Sequence, residues 1–430
     1  MTHKSLLKVD ARTKKRNAAE KRFKTYGFAA IIVSMLALVT LLTSVIGTGA
    51  SAFKQTYATV TVQLPEDKLD KSGVRDIDVM KKVTTIGYAK ILNQGLTDTV
   101  AATGIATELS TKDIGGMLSK EAAATIRDHI LANPDLIGQE VTLDLLMNGR
   151  TDGYFKGRVT MESAALDSNT SPEELALAQA LADADIVHTK FNWAFLTNPD
   201  ASDQRPEAAG LGVAILGSLY MMIIVLVVSL PIGVAASIYL EEFAPKNRWT
   251  DLIEVNISNL AAVPSIVYGI LGLAIFINFM EFNQSSPLVG GLVLSLMTLP
   301  RIIIPARAAL KSVPPSIRDA ALGVGASKMQ SLFHHVLPLA APGILTGVII
   351  GLGQALGETA PLLLTALSNT SFAFNPIKGP IGSLPMYIFG MLQIGTENSI
   401  NRAWTGSLVL LLLVFGLFSL ARFIAGKDKR

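Results

Sequence analysis

Long apolar runs, separated by polar stretches, set the pattern of this chain. Five or six of them reach the roughly 20 helical residues that cross about 30 Å of hydrocarbon. They lie near Tyr26–Ile46, Gly210–Leu240, Val255–Met280, Pro287–Pro305, Ala341–Thr365 and Trp404–Ile424. Between the first two stands a long polar stretch, 51–208, which cannot sit in lipid. The pattern predicts an all-α polytopic membrane protein of about six transmembrane helices with one extramembrane domain.

Within 51–208 the periodicity changes. Tyr57-Ala-Thr-Val-Thr-Val-Gln-Leu64 alternates in the manner of a strand. Glu140–Leu146 and Tyr154–Thr160 read as two more strands joined by a Gly-containing turn. Ser171-Pro172-Glu173-Glu174 supplies an N-cap, a proline at the first helical position and acids in the first turn, so a helix is expected to about Ala184. Ser119-Lys-Glu-Ala opens another that ends before Pro134. The domain is therefore expected to be mixed α and β. It shows no nucleophile–base–acid set, and His129 and His188 stand alone, so partner binding is favoured over catalysis.

The polar loop 306–339 has its own local order. Pro314 and Pro315 stop what precedes. Ser316–Leu322 favours helix, and Gly323 and Gly325 can end it. Ser327-Lys-Met-Gln330 has the capping-box form. A second short helix is expected to about Val336, with Pro338 and Pro342 bending the chain into the next span. Gly325 can take positive φ or admit another backbone closely. His334 and His335 are adjacent on a helix and point too far apart to share one metal ion.

Composition agrees with the pattern and adds orientation. Half the residues are hydrophobic, mean hydropathy is +0.43 and 17% are charged, against about a quarter charged in soluble proteins. The net charge of +3 is unevenly spread. Residues 1–26 hold nine Lys/Arg, from Lys4 and Lys8 to Lys24, against Asp10 and Glu20; residues 51–208 hold 15 basic and 23 acidic side chains. Basic flanks stay in the cytoplasm, so the organisation read is a basic cytoplasmic segment 1–25, a first transmembrane helix 26–50, a periplasmic domain 51–208, a core 209–425 with a cytoplasmic loop 306–339, and a cytoplasmic end 426–430 carrying Lys427, Lys429 and Arg430. The apolar stretch near 26–46 exceeds the usual core of a signal peptide, which favours a retained anchor over cleavage at Gly49–Phe53. The absence of cysteine excludes disulfides and thiol catalysis.

Two ionisable residues fall inside apolar runs. Glu358, in Gly353-Gln354-Ala-Leu-Gly-Glu358-Thr359-Ala-Pro361, needs a water-filled path or a partner charge. On a continuous helix it would lie about 25 Å from Ala341, toward the outer side. A role on the solute path and a structural pairing both remain open. Arg301, after Pro300, could attract an anion; snorkelling to the cytoplasmic edge is the favoured reading. Pro264, Pro300 and Pro361 free backbone groups at membrane depth, as a cavity-lining bundle allows. Gln354, Glu358, Thr359 and Arg301 are the candidates for a translocation pathway.

The loop Asp319-Ala320-Ala321-Leu-Gly-Val-Gly325, followed by Leu337-Pro338, resembles the EAA loop of ABC-importer permeases, with Asp319 where Glu is usual and His335 where Ile or Val is usual. Together with Gly233–Glu242, Val263-Pro-Ser-Ile-Val-Tyr-Gly269 and Gly357-Glu-Thr-Ala-Pro, it resembles the phosphate ABC-transporter permeases of the PstA type over about residues 191–425. The resemblance implies a type I importer bundle that moves inorganic phosphate from periplasm to cytoplasm. Asp319, Ala320, Ala321, Gly325, Leu337 and Pro338 would form the ATPase-coupling loop. It further implies a second permease subunit (PstC type), an ABC ATPase dimer (PstB type) that holds ATP and Mg, and a periplasmic phosphate-binding protein (PstS type), with no cofactor in this chain and no nucleic acid. No Gly-x-x-x-x-Gly-Lys-[Ser/Thr] occurs, so the ATPase must be separate. Many phosphate permeases carry Arg at the position of Gln354, and Arg and Glu at those of Ile304 and Arg307, which keeps another oxyanion as the alternative substrate. A membrane-anchored sensor and a proton-coupled secondary transporter fit less well, since no signalling module and no internal repeat is seen.

Overall fold

The computed structural model describes residues 11–427 apart from 71–72, 202–204 and 367–368. Lys4, Lys8, Asp10, Lys429 and Arg430 lie outside the described residues. The architecture is a bundle of apolar helices carrying a small α/β domain between its first and second spans.

The first span lies in one helix, Ala11–Gly49, which buries only Val45 and Gly49. Gly49 is where it meets the bundle: a Cβ there would stand 3.0 Å from the Trp404 carbonyl and 3.1 Å from Leu408 Cβ. The domain then folds on a three-stranded antiparallel sheet of order β2-β1-β3, with β1 Lys54–Gln63, β2 Glu140–Leu146 and β3 Val187–Phe191. The alternation read for β1 is real. Ala58, Val60, Val62 and Leu64 are buried on one face, with Val60 opposite Leu143 and Tyr57 opposite His188. The buried face is covered by the helix Thr85–Thr103, through Tyr88, Ile91, Leu92, Leu96 and Val100, and by Lys120–Ala132, through Ile126 and Ile130.

Both expected helices of this domain form. Ser119 accepts from the Glu121 amide, and Ser171 and Glu174 close a capping box. The expected strand Tyr154–Thr160 does not. Asn148 accepts from the amides of Arg150 and Thr151 and starts a helix, Gly149–Phe155, so a local cap overrides a weak alternation. The third strand is β3 instead, an edge strand.

The bundle is organised around the helices Gly212–Ile238, Pro287–Ser312 and Leu337–Gly357. Their crossings use small residues, which let helices approach closely where lipid offers no hydrophobic drive. Gly343, Gly347 and Gly351 recur every fourth residue along one face. A Cβ on each would meet Ala309 Cβ at 2.7 Å, Pro305 Cγ at 2.6 Å and Thr298 Cγ2 at 3.2 Å. Gly233 similarly admits Ile302 Cγ2 at 2.8 Å. At the start of a further short helix, Leu384–Ile394, the Leu384 amide donates to the Ser218 hydroxyl oxygen at 2.8 Å. The last helix is Glu397–Lys427. Arg402 on it pairs with Asp200 at 2.8 Å, both side chains buried, and so ties the domain's exit to the last span.

Among the described residues five helices are long and apolar enough to cross a membrane, or six if one bent pair counts as a span. That pair corrects the third expected span, Val255–Met280. Arg248–Ala261 and Ser265–Phe279 meet at 102°, because Pro264 offers no amide to the preceding turns and its predecessor is driven out of helical geometry. The fifth span is also corrected. It begins at Lys328, runs unbroken for 30 residues and stops at Gly357, so Pro338 and Pro342 sit inside a continuous helix rather than bending the chain into it.

Candidate functional site

Two groups of candidate residues occupy opposite ends of the Leu337–Gly357 helix, about 32 Å apart at 1.5 Å per residue.

At its far end the helix terminates in Glu358, whose backbone turns extended (φ −75°, ψ 129°). The next residues form a break, and the chain resumes helix only over Leu362–Thr365. Ser265–Gly272 packs on this break: a Cβ on Gly269 would stand 2.8 Å from the Pro361 carbonyl. Only glycine allows that contact. Across the bundle Arg301 projects from Pro287–Ser312, and its Nη1 lies 3.6 Å from Glu358 Oε1. The side chains are 23% and 17% exposed. Arg301 therefore does not snorkel to the loop edge, as the sequence favoured; it faces a carboxylate at the end of another helix. Its Nη1 is buried and makes no hydrogen bond. At 3.6 Å the carboxylate balances its charge without filling its donor valence. Thr359 adjoins Glu358, half-buried, whereas Gln354 is exposed one turn earlier on the helix and stands apart from the pair.

At the other end lies the loop. Its first expected helix forms as Pro315–Gly323, and Gly325 takes φ +91°, a conformation that side chains other than glycine's resist. The Ser327–Gln330 capping box is present. The second helix does not stay separate but runs through a π-turn, Leu332–Val336, into the long helix. Asp319 and Ala320 are exposed on Pro315–Gly323, and Ala321 is its buried residue. Leu337 is half-buried and Pro338 exposed at the start of the long helix. Leu322, Val324, Met329 and Phe333 form an exposed apolar set around Gly325.

Sequence reading missed what holds this projection. Arg318 donates to Glu242 through Nη2 at 2.7 Å and Nε at 3.1 Å, and to the Val313 and Leu310 carbonyls at 2.6 and 2.9 Å. Arg307 donates to Glu254 at 2.6 Å and lies 3.5 Å from Glu241. Lys328 Nζ stands 4.9 Å from the Phe243 ring centroid. The adjacent acids Glu241 and Glu242 at the end of a span were the available signal. Among the described residues no group of three or more metal-ligating side chains gathers, His334 and His335 included.

A membrane bundle with a charge pair inside it and a capped, exposed projection at one end defines a solute-transport subunit. The sequence comparisons agree. Residues 229–427 match the family described as binding-protein-dependent transport system inner membrane component, and residues 10–165 match a domain of unknown function (DUF3333). The phosphate transport system permease protein PstA of Yersinia pestis is 35% identical over 226 residues, covering 52% of this chain and 76% of that protein. PstA of Mycobacterium leprae is 33% identical over 244 residues, 55% of this chain and 78% of that protein. A solved inward-facing MetNI methionine ABC transporter overlays with 51% of this chain and 95% of its own at 18% identity and a TM-score of 0.40. The chain belongs to the PstA-type permeases, the inner-membrane components of ABC importers.

Proposed function

We propose that this chain forms one half of the membrane path through which inorganic phosphate is imported, with Arg301, Glu358, Thr359 and Gln354 along that path. The observation that carries the reading is Arg301: a guanidinium inside the bundle, held near a carboxylate yet left with an unfilled donor. An oxyanion is the ligand whose oxygens suit such a fork. The Arg301–Glu358 gap would be occupied in transit, and the carboxylate would keep the anion from binding too tightly to leave. Gln354, exposed on the bundle surface, would face the second permease subunit, of PstC type.

Energy would enter at Asp319, Ala320, Ala321, Gly325, Leu337 and Pro338. An ATPase dimer of PstB type, holding ATP and Mg, would seat Pro315–Gly323 and the apolar set around Gly325. A PstS-type binding protein would deliver phosphate on the opposite side. The 51–208 domain would then be periplasmic and both termini cytoplasmic, as the flanking charges require. This chain would need no cofactor of its own.

Labelled-phosphate uptake at low external phosphate tests this, in cells lacking the protein and complemented with wild type or Gly325→Asp. Restoration by wild type and not by the variant, with both reaching the membrane, is the expected result. Uptake indifferent to the deletion would sink the phosphate assignment and point to another oxyanion, with Gln354 the first residue to revert to Arg.

A further inference from the structure

We propose that Arg318 and Glu242 are positioning residues of the transport cycle, a clamp that makes the ATPase-facing helix and the end of the Gly212–Ile238 span move as one body. The inference rests on the reading above that Pro315–Gly323 receives the ATPase.

Without such a clamp the helix would be poorly held. It buries only Ala321, it begins after Pro314, and it ends two residues before Gly325 with its φ of +91°. Connections of that kind pivot. The clamp removes the freedom at a single guanidinium. Arg318 Nε and Nη2 engage Glu242, while Nη1 takes the Val313 carbonyl and Nη2 also the Leu310 carbonyl. One side chain thus joins three elements: the projecting helix, the carboxyl end of Pro287–Ser312, and the Tyr239–Phe243 turn that ends the Gly212 span. Its side chain is 22% exposed and that of Glu242 10%, so water competes weakly.

Two further contacts reinforce the same turn. Lys328, on the other side of Gly325, lies over Phe243. Arg307 holds Glu241 together with Glu254 of Arg248–Ala261. Consecutive residues Glu241, Glu242 and Phe243 therefore each take a cation from a different part of the loop region. A planar fork that meets a carboxylate and two carbonyls at once cannot be replaced by an ammonium. Force applied to the projection is delivered to the Gly212 span as well as to the two helices that flank it in sequence.

The chain has no cysteine, so Ser316→Cys and Lys246→Cys, both at exposed positions, place two spin labels on the purified chain, before assembly, without background from its own residues. The assembled importer in proteoliposomes is measured with and without trapped ATP, and phosphate uptake per ATP hydrolysed is recorded on the unlabelled proteins. The labelled parent is expected to give one narrow distance that ATP leaves unchanged. Arg318→Gln and Arg318→Lys are expected to broaden it and to cut uptake per ATP at least fivefold, with ATP hydrolysis within twofold. Glu242→Asp is expected to retain both. A distance distribution unchanged by Arg318→Gln overturns the clamp. So does a parallel fall of uptake and hydrolysis at constant ratio, which would mark Arg318 as merely structural. The distance is read without phosphate, so a narrow parent distance that Arg318→Gln broadens, with no phosphate uptake, would reject the substrate reading while upholding the clamp.

Discussion

Replacing Arg301 by Gln probes the interior pair most directly. At 3.6 Å two unit charges attract by about 5 kcal/mol at an effective dielectric near 20, and desolvation of both groups offsets most of this. Removing one partner of a well-buried pair typically costs about 3–5 kcal/mol, because the other charge is stranded. Here Arg301 and Glu358 keep 23% and 17% of their side-chain surface, so a loss of roughly 2 kcal/mol is expected for Arg301→Gln or Glu358→Gln alone. The double variant strands nothing and should fall short of the sum by about 0.5–3 kcal/mol, the range for residues in contact. Denaturation of the purified protein in detergent gives the three values; phosphate uptake in cells gives the functional counterpart. Uptake should fall at least tenfold in Arg301→Gln and stay low in the double variant even where stability returns. A double variant that transports at the wild-type rate would reduce the pair to a structural tie. Additive stability losses would show that the two groups do not interact at all.

Gly325→Val forces a β-branched residue to φ +91° and should reduce uptake several-fold at normal membrane levels, with a local cost of about 1–3 kcal/mol; coupled ATPase assays check it. Gly347→Leu drives a side chain into Pro305, where even a Cβ would stand at 2.6 Å, so overpacking of about 1–3 kcal/mol or more is expected as a lowered Tm. In the extramembrane domain, burial holds the Glu207 carboxyl above the ordinary carboxylate range, with the Ser119 hydroxyl opposing the shift. The folded chain then binds that proton more tightly than the unfolded one, and stability declines as pH rises from the ordinary carboxylate value through the raised one. Glu207→Gln should accordingly melt higher than wild type at pH 8, with the gain vanishing at pH 4.

Much of this architecture was legible because it is written locally. Apolar runs mark the spans, alternation at Ala58, Val60, Val62 and Leu64 marks β1, and the caps at Ser119, Ser171 and Ser327 mark helix starts where they form. What escaped depends on distant partners. β3 is five residues of mixed polarity that become a strand only beside β1. Thr85–Thr103, with two internal glycines and several threonines, has weak intrinsic helical preference and is held by the sheet it covers. The Glu358 break could not be separated from a continuing helix by hydropathy alone, since Pro361 lies three residues beyond it. Arg301 and Glu358, or Arg318 and Glu242, are joined across 57 and 76 residues of chain, a pairing that no local pattern announces.

The unbroken helix from Lys328 to Gly357 has a mechanical meaning. Thirty residues make a rod about 45 Å long, with the Gly325 elbow at one tip and Glu358 at the other. Its glycine face bears on Ala309, Pro305 and Thr298, with Ile344, Val348 and Leu352 of the same helix buried in the bundle core. Over that length a tilt of a few degrees at the elbow becomes a displacement of ångströms at Glu358. The pair with Arg301 would then open or close by geometry alone, and the π-turn at Leu332–Val336 is the one stretch of the rod whose irregular winding can absorb motion instead of passing it on.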